Sequence, residues 1–308
     1  MASNRPFRGV LAPVLTPFKA DLTPDLDAFS DHCQWLLQRG VDGLAVFGTT
    51  SEANSLGIDE RMNLLDGLIE RGIPPARLLP GTGTCALPDT VRLSTHAVRH
   101  GCAGVLMLPP FYYKTVDDEG LFASYSEVIQ RVGNSALRVY LYHIPPVARV
   151  SISNELIGRL LSSYEGTVVG LKDSSGDWAH TESILKAYPS LATFCGSEVF
   201  LLKTLRHGGA GSITATANVN PAGIRAVFEH WQDADADEQQ QRITAIREAI
   251  QARPVIPALK GMLAACYERP SWRTVRPPLR AITDAQLNPL LEELRALGFE
   301  MGRNHIAA

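Results

Sequence analysis

From Gly9 to Ile213 the chain repeats one pattern: an amphipathic stretch, then a glycine, then a short apolar run. The first amphipathic stretch, about 27–39, sets Phe29, Cys33, Leu36 and Leu37 at i, i+4, i+7 and i+8. That spacing makes one buried face and predicts a helix. It closes at Arg39-Gly40, a basic residue at the negative end of the helix dipole before a glycine that can turn left-handed. The same closure recurs at Arg71-Gly72, His100-Gly101 and His207-Gly208. Each is followed by a run such as GLAVFG, RLLPG, GVLML or GSITA.

These runs are almost continuously apolar, as parallel strands covered on both faces must be. Eight begin near Gly9, Gly43, Leu78, Gly104, Arg138, Thr167, Ala192 and Gly211, spaced 19 to 35 residues apart. Eight strand–helix units predict a closed (β/α)8 TIM barrel; a doubly wound open sheet is the alternative. About 90 residues follow Thr214, more than one closing helix needs. Amphipathic stretches near 238–252, 255–267 and 284–297 predict a helical extension. The division expected is a barrel over 1–225 and a C-terminal helical extension over 226–308.

Composition narrows the class. The 308 residues carry 29 Lys plus Arg against 32 Asp plus Glu, so no basic surplus points to nucleic acid. No apolar stretch reaches the roughly 18 residues of a membrane helix. Arg5 and Arg8 precede GVLAPVLTPF, faintly like a leader, but Pro13 and Pro17 interrupt it and it reads as a first strand. Five dispersed cysteines without CxxC spacing suggest a reducing, cytoplasmic setting.

Both folds place their sites at the C-terminal ends of strands. Those positions hold hydroxyls, glycines and two lysines, Lys114 and Lys172. Lysine is scarce here, six against 23 arginines, yet Lys172 ends the sixth run, TVVGLK. Partial desolvation at a barrel mouth lowers a lysine pKa. A free amine is what Schiff-base chemistry requires. Pairing with Asp173, or snorkelling at a strand end, is the competing reading.

Tyr142 ends the fifth run, next to the sixth, where a phenol can relay protons. A core tyrosine is the alternative. Thr49 and Thr50 follow the second run in FGTTSEA, where N–H groups and hydroxyls can hold a carboxylate. The alternative there is a turn capping the next helix, with Glu52 near its first turn. Gly196, after the seventh run, and His143, a neutral donor or acceptor beside Tyr142, are read as substrate-binding.

GTGTCA at 81–86 fits a dinucleotide fingerprint but lacks the acid at the end of the next strand. His96 and His100 share a helix face and read as solvated, and no metal site is expected. Asp233, Asp235 and Asp237 read as a hydrated loop near a helix start.

Several motifs in order resemble the dihydrodipicolinate synthase / N-acetylneuraminate lyase family. They are LAPVLTPF, GTTSE, PPFYY, YHIP, GLKDSSGD and GGAGSITATANVNP, and the resemblance runs from Gly9 through the last helices. It implies a class I, pyruvate-dependent lyase or aldolase that needs no cofactor. Lys172 would be the Schiff-base lysine and Tyr142 the relay tyrosine. Thr49 and Thr50 would hold the 2-oxo acid carboxylate, with Thr49 also in the relay. Tyr112, or in another register Tyr113, would reach a neighbouring subunit's site, implying a homodimer or homotetramer. Ile213 would line the pyruvate pocket through its carbonyl.

Three positions depart from the family pattern: Ser51 for Gly, His143 for Asn, and Val147 where synthases carry an arginine for the aldehyde's carboxylate. Valine cannot make that pair, and Arg149 lies two residues further on. The departures favour cleavage of neuraminate or 2-keto-3-deoxy sugar acids over 4-hydroxy-tetrahydrodipicolinate synthesis. A sugar-acid dehydratase, or a keto-acid-sensing barrel without turnover, would share the binding residues.

Overall fold

The computed structural model describes residues 6–301. Arg5 and the ends of the expected division lie outside them. Seven strands form one parallel sheet: β1 (Gly9–Ala12), β2 (Gly43–Leu44), β3 (Val105–Met107), β4 (Val139–His143), β5 (Val168–Asp173), β6 (Ala192–Cys195) and β7 (Gly211–Ile213). Their order is β2-β1-β7-β6-β5-β4-β3.

The remaining run, 78–82, closes the ring between β2 and β3. Leu78 bridges Leu44 and Gly81 bridges Leu106, both parallel. Leu79 and Gly81 donate to Leu44 and Val46 on one side, and Thr82 donates to Leu106 on the other. All eight predicted runs thus enter a (β/α)8 barrel, but this one makes bridges instead of a ladder. Residues 78, 80 and 82 face β3, and Pro80 has no N–H to give it.

Around the sheet run α1 (Leu26–Gln38), α2 (Ile58–Glu70), α3 (Leu87–Arg99), α4 (Asp118–Val132), α5 (Pro145–Ala148) and α6 (Asn154–Ser163). They continue with α7 (Trp178–Ala187), α8 (Leu201–Arg206) and α9 (Pro221–Glu229). The predicted closures hold: Gly40, Gly72, Gly101 and Gly208 have φ of 91°, 86°, 74° and 85°. Alternate strand residues split between two cores. Val10, Leu44, Val105, Leu141 and Leu171 pack outward on the helices. Leu11, Ala45, Leu79, Leu106, Tyr140, Tyr142, Phe194 and Ile213 fill the barrel. Gly170 belongs to the inner set, because a Cβ there would fall 2.2 Å from the Tyr140 ring.

The predicted C-terminal helices are α10 (Ala236–Gln251), α11 (Val255–Tyr267) and α12 (Asp284–Ala296). They bury Ile250, Leu259, Met262, Leu263, Leu287 and Leu290 against Leu15, Ala28 and Val219. Leu15 follows β1 and Val219 follows β7, so this second core backs onto loops at the barrel's C-terminal mouth.

Candidate active site

β4 and β5 are in register with Tyr142 opposite Lys172 and His143 opposite Asp173. Lys172 is 4% exposed, with Nζ 4.3 Å from the centroid of the Tyr142 ring. Among the described residues Nζ has no hydrogen bond or ion pair to the protein. The Tyr142 hydroxyl lies 3.3 Å from Thr49 Oγ1. Three residues from three separate segments therefore meet at the barrel mouth, as the sequence predicted.

The loop carrying Thr49 is held by its neighbours. Gly48 O accepts from the N–H groups of Ser51 and Ala53 at 3.1 and 3.2 Å, and Thr49 O accepts from Glu52 at 3.1 Å. Ser51 Oγ donates to Val14 O, and Thr16 Oγ1 donates to Ser51 O, tying the loop to the one after β1. Ser51, the departure from glycine, thus adds an anchor. Within this arrangement the N–H groups of Thr49 and Thr50, and the Thr50 hydroxyl, donate to no protein acceptor among the described residues. Such a set of donors suits a carboxylate.

Glu52 holds the loop from behind, which motif reading missed. It adopts a left-handed φ of 56° and is fully buried beside Lys260 of α11. Lys260 Nζ donates to Glu52 and, at 2.8 Å, to Thr274 O, while Arg276 N donates to the other Glu52 oxygen at 3.0 Å. Burial pushes Lys260 down to about 8, against the pull of Glu52. A lysine inside the apolar stretch VIPALKGML was the available signal.

His143 requires a correction. Adjacent strand residues point to opposite faces, so with Tyr142 inward, His143 turns into the layer between strands and helices. Its ring stacks on His180 at 4.3 Å, and its Nδ1 accepts from Ile152 N at 3.1 Å. Burial pushes His143 down to about 4. It does not stand beside the relay hydroxyl.

Asp173 faces the same layer and is not the partner of Lys172. Its Oδ2 accepts from His180 Nδ1 at 2.8 Å and Thr181 Oγ1 at 2.7 Å, and its Oδ1 from Ser175 N at 2.8 Å. Burial alone would raise this carboxyl, yet those bonds hold it below its usual range. The same pairing raises His180.

Gly196 follows β6, where a Cβ would fall 2.0 Å from Ser174 Oγ and 2.7 Å from Asp173 O. No other residue fits so close to the end of the lysine strand. Ile213 is fully buried at the end of β7, inside the barrel. The loop beyond it is fixed by Glu198, another buried carboxylate missed in the sequence, which accepts from the hydroxyls of Thr214 and Thr216. Tyr112 and Tyr113 are each 73% exposed, so one chain does not bring them into its own site. Val147 is 62% exposed, and Arg149, also exposed, has a left-handed φ of 56°.

Residues 6–297 match the dihydrodipicolinate synthetase family. A DapA-like lyase of Chloroflexus aurantiacus, itself uncharacterised, is 35% identical over 286 residues, covering 92% of this chain and 94% of that protein. The crystal structure of dihydrodipicolinate synthase from Agrobacterium tumefaciens is similar at TM-score 0.87 and 36% identity, covering 94% of this chain and 99% of that one. YagE of Escherichia coli K12 is named a putative 2-dehydro-3-deoxy-D-gluconate aldolase. Its structure in complex with pyruvate is similar at TM-score 0.85 and 28% identity, covering 95% of this chain and 99% of that one.

Proposed function

The chain belongs to the dihydrodipicolinate synthetase family of lyases and aldolases, and on that premise we propose that Lys172 forms a Schiff base with pyruvate or a related 2-oxo acid for reversible aldol cleavage. The observation that carries this reading is a nearly buried amine at the barrel mouth, without a partner among the described residues, facing Tyr142.

The donors of Thr49 and Thr50 hold the acid's carboxylate. The Lys172 amine adds to the keto carbon, forming the C–N bond of a carbinolamine. Tyr142, hydrogen-bonded to Thr49, relays the amine's proton to the former keto oxygen and supplies a second, so the oxygen leaves as water and a protonated imine remains. Loss of a proton from the adjacent methyl gives an enamine. Its carbon attacks an aldehyde, forming the C–C bond as the aldehyde oxygen takes a proton. Water then hydrolyses the imine and frees Lys172. Cleavage is the same path reversed, and no cofactor takes part.

For the aldehyde, Val147 supplies no cation, and a carboxylate buried without one is costly. This favours a neutral or polyhydroxylated partner, hence an aldolase acting on neuraminate or 2-keto-3-deoxy sugar acids. The second reading, 4-hydroxy-tetrahydrodipicolinate synthase, is favoured by the Agrobacterium likeness and would need Arg149 to bind the aldehyde's carboxylate. Five free cysteines support a reducing cytoplasm as the setting, and among the described residues no helix is long and apolar enough to cross a membrane. The exposed Tyr112–Tyr113 pair, rings 5.4 Å apart, supports a homodimer or homotetramer in which Tyr112 completes a neighbour's site.

A pyruvate-coupled screen of N-acetylneuraminate, keto-deoxy sugar acids and aspartate semialdehyde tests this reading. Sugar-acid cleavage abolished in Lys172→Ala supports it. Efficient condensation with aspartate semialdehyde, lost in Arg149→Ala, selects the second reading.

A further inference from the structure

Outside the barrel, on the side away from its filled interior, α2 lies against α3. Asp66 of α2 faces His96, in the last turn of α3, and His100, its C-cap. Both imidazoles approach one carboxylate oxygen: His96 Nε2 lies 2.6 Å and His100 Nε2 lies 2.8 Å from Asp66 Oδ1. The histidine rings stand 4.6 Å apart at 70°. The side chains of His96, His100 and Asp66 are 15%, 33% and 37% exposed, so the face the sequence suggested as solvated is partly covered by α2.

We infer that Asp66, His96 and His100 bind one divalent transition-metal ion of the zinc class. Two observations converge. The ligand atoms of the three residues all lie within 4.8 Å of one another. Asp66 Oδ1 and His96 Nε2 are shielded from solvent, yet despite their closeness neither has an aligned hydrogen-bond partner among the described residues. A histidine–aspartate pair explained by its own hydrogen bond would have the N–H directed at the oxygen.

The position also suits a cation, because both histidines sit at the negative end of the α3 dipole. Two imidazole nitrogens and one carboxylate oxygen match zinc, copper or nickel better than magnesium or calcium. They leave a fourth tetrahedral position for water. Zinc bonds of about 2.0–2.1 Å separate tetrahedral ligand atoms by about 3.3 Å. The Asp66 carboxylate, now 2.6 and 2.8 Å from the two nitrogens, therefore needs to draw back by about 0.5–0.7 Å.

The ion joins helices on either side of segment 78–82, the one strand position held by bridges instead of a ladder. An Asp59–Arg92 ion pair at 2.6 Å joins the same two helices elsewhere along their contact. A brace here joins the helices that flank this segment without touching Lys172, so the inference stands apart from the proposed reaction.

The test titrates zinc sulfate into untagged, chelator-stripped full-length protein, alongside His96→Ala/His100→Ala and Asp66→Asn. One zinc per chain in the wild type, lost in the double variant and weakened in Asp66→Asn, is the expected result. Zinc should raise the wild-type Tm by mass action and leave that of the double variant unmoved. Cobalt substitution should give a nitrogen- and oxygen-ligand spectrum. No zinc binding by the wild type, equal binding by the double variant, or a thiolate charge-transfer band from cysteine ligation would each overturn the assignment.

Discussion

Lys172 and Lys260 are both nearly buried amines, and their partners separate their roles. Lys260 is fully buried with Glu52 and Thr274 O on its ammonium, so its charge is spoken for. Among the described residues the Lys172 amine has only the face of Tyr142. Replacing Lys260 by methionine leaves the Glu52 carboxylate with a single N–H donor. Breaking a buried pair from one side typically costs about 3–5 kcal/mol, and urea unfolding of Lys260→Met should show a loss of that size. Tyr142→Phe should keep the fold and slow turnover by about 10²–10⁴-fold, the usual worth of a general acid–base group. Steady-state kinetics with the substrate found in the screen measures it. A change confined to KM would remove Tyr142 from the relay.

The elements show where local pattern stops being informative. For α1, Phe29, Cys33, Leu36 and Leu37 were predicted inward; the first three are fully buried and Leu37 is half-buried. His32 and Trp35 are buried too, which the pattern could not show, because α11 covers that flank. His32 Nδ1 lies 2.8 Å from the Tyr267 hydroxyl, and Nε2 lies 3.0 Å from Asn218 Oδ1. Asn218 in turn donates to Pro13 O at 3.0 Å, so one polar chain ties α1 and α11 to two mouth loops.

Burial pushes His32 down to about 4 from the ordinary 6.5. The unfolded chain therefore takes up its proton first as pH falls. Stability is intact above about pH 6.5 and is lost progressively down to about pH 4, by about 3 kcal/mol for one such histidine. His143, also lowered to about 4 by burial, acts in the same direction. Denaturant midpoints between pH 7 and 4.5 should fall steeply in the wild type and less steeply in His32→Gln, which cannot protonate. Equal slopes would mean that His32 is not the buried neutral group.

For the whole molecule, the eight-fold recurrence of helix, glycine and apolar run was legible because each feature is local. The three C-terminal helices were legible for the same reason. The third run's failure to form a ladder depends on which neighbour Pro80 faces, and strand direction alone does not tell that. Lys172, Tyr142 and Thr49 could be assembled from sequence because a parallel barrel brings strand ends together. Glu52 with Lys260, and Glu198 with Thr214 and Thr216, could not, since their partners are 16 to 208 residues away. His143 was misplaced because its neighbour's inward direction was not yet fixed.

At this scale the proposed assembly is also testable. Sedimentation should show at least a dimer, and Tyr112→Ala should lower turnover while leaving pyruvate capture intact. A fully active monomer would contradict it. The covalent claim underlies the proposed reaction, and trapping tests it most directly. The protein is incubated with pyruvate and borohydride, and its peptides are mapped by mass spectrometry. The account predicts one irreversible adduct, on the peptide containing Lys172, with tryptic cleavage blocked at that residue and no adduct in Lys172→Ala. An adduct on Lys260 or any other lysine, or none while pyruvate-forming turnover continues, would contradict it.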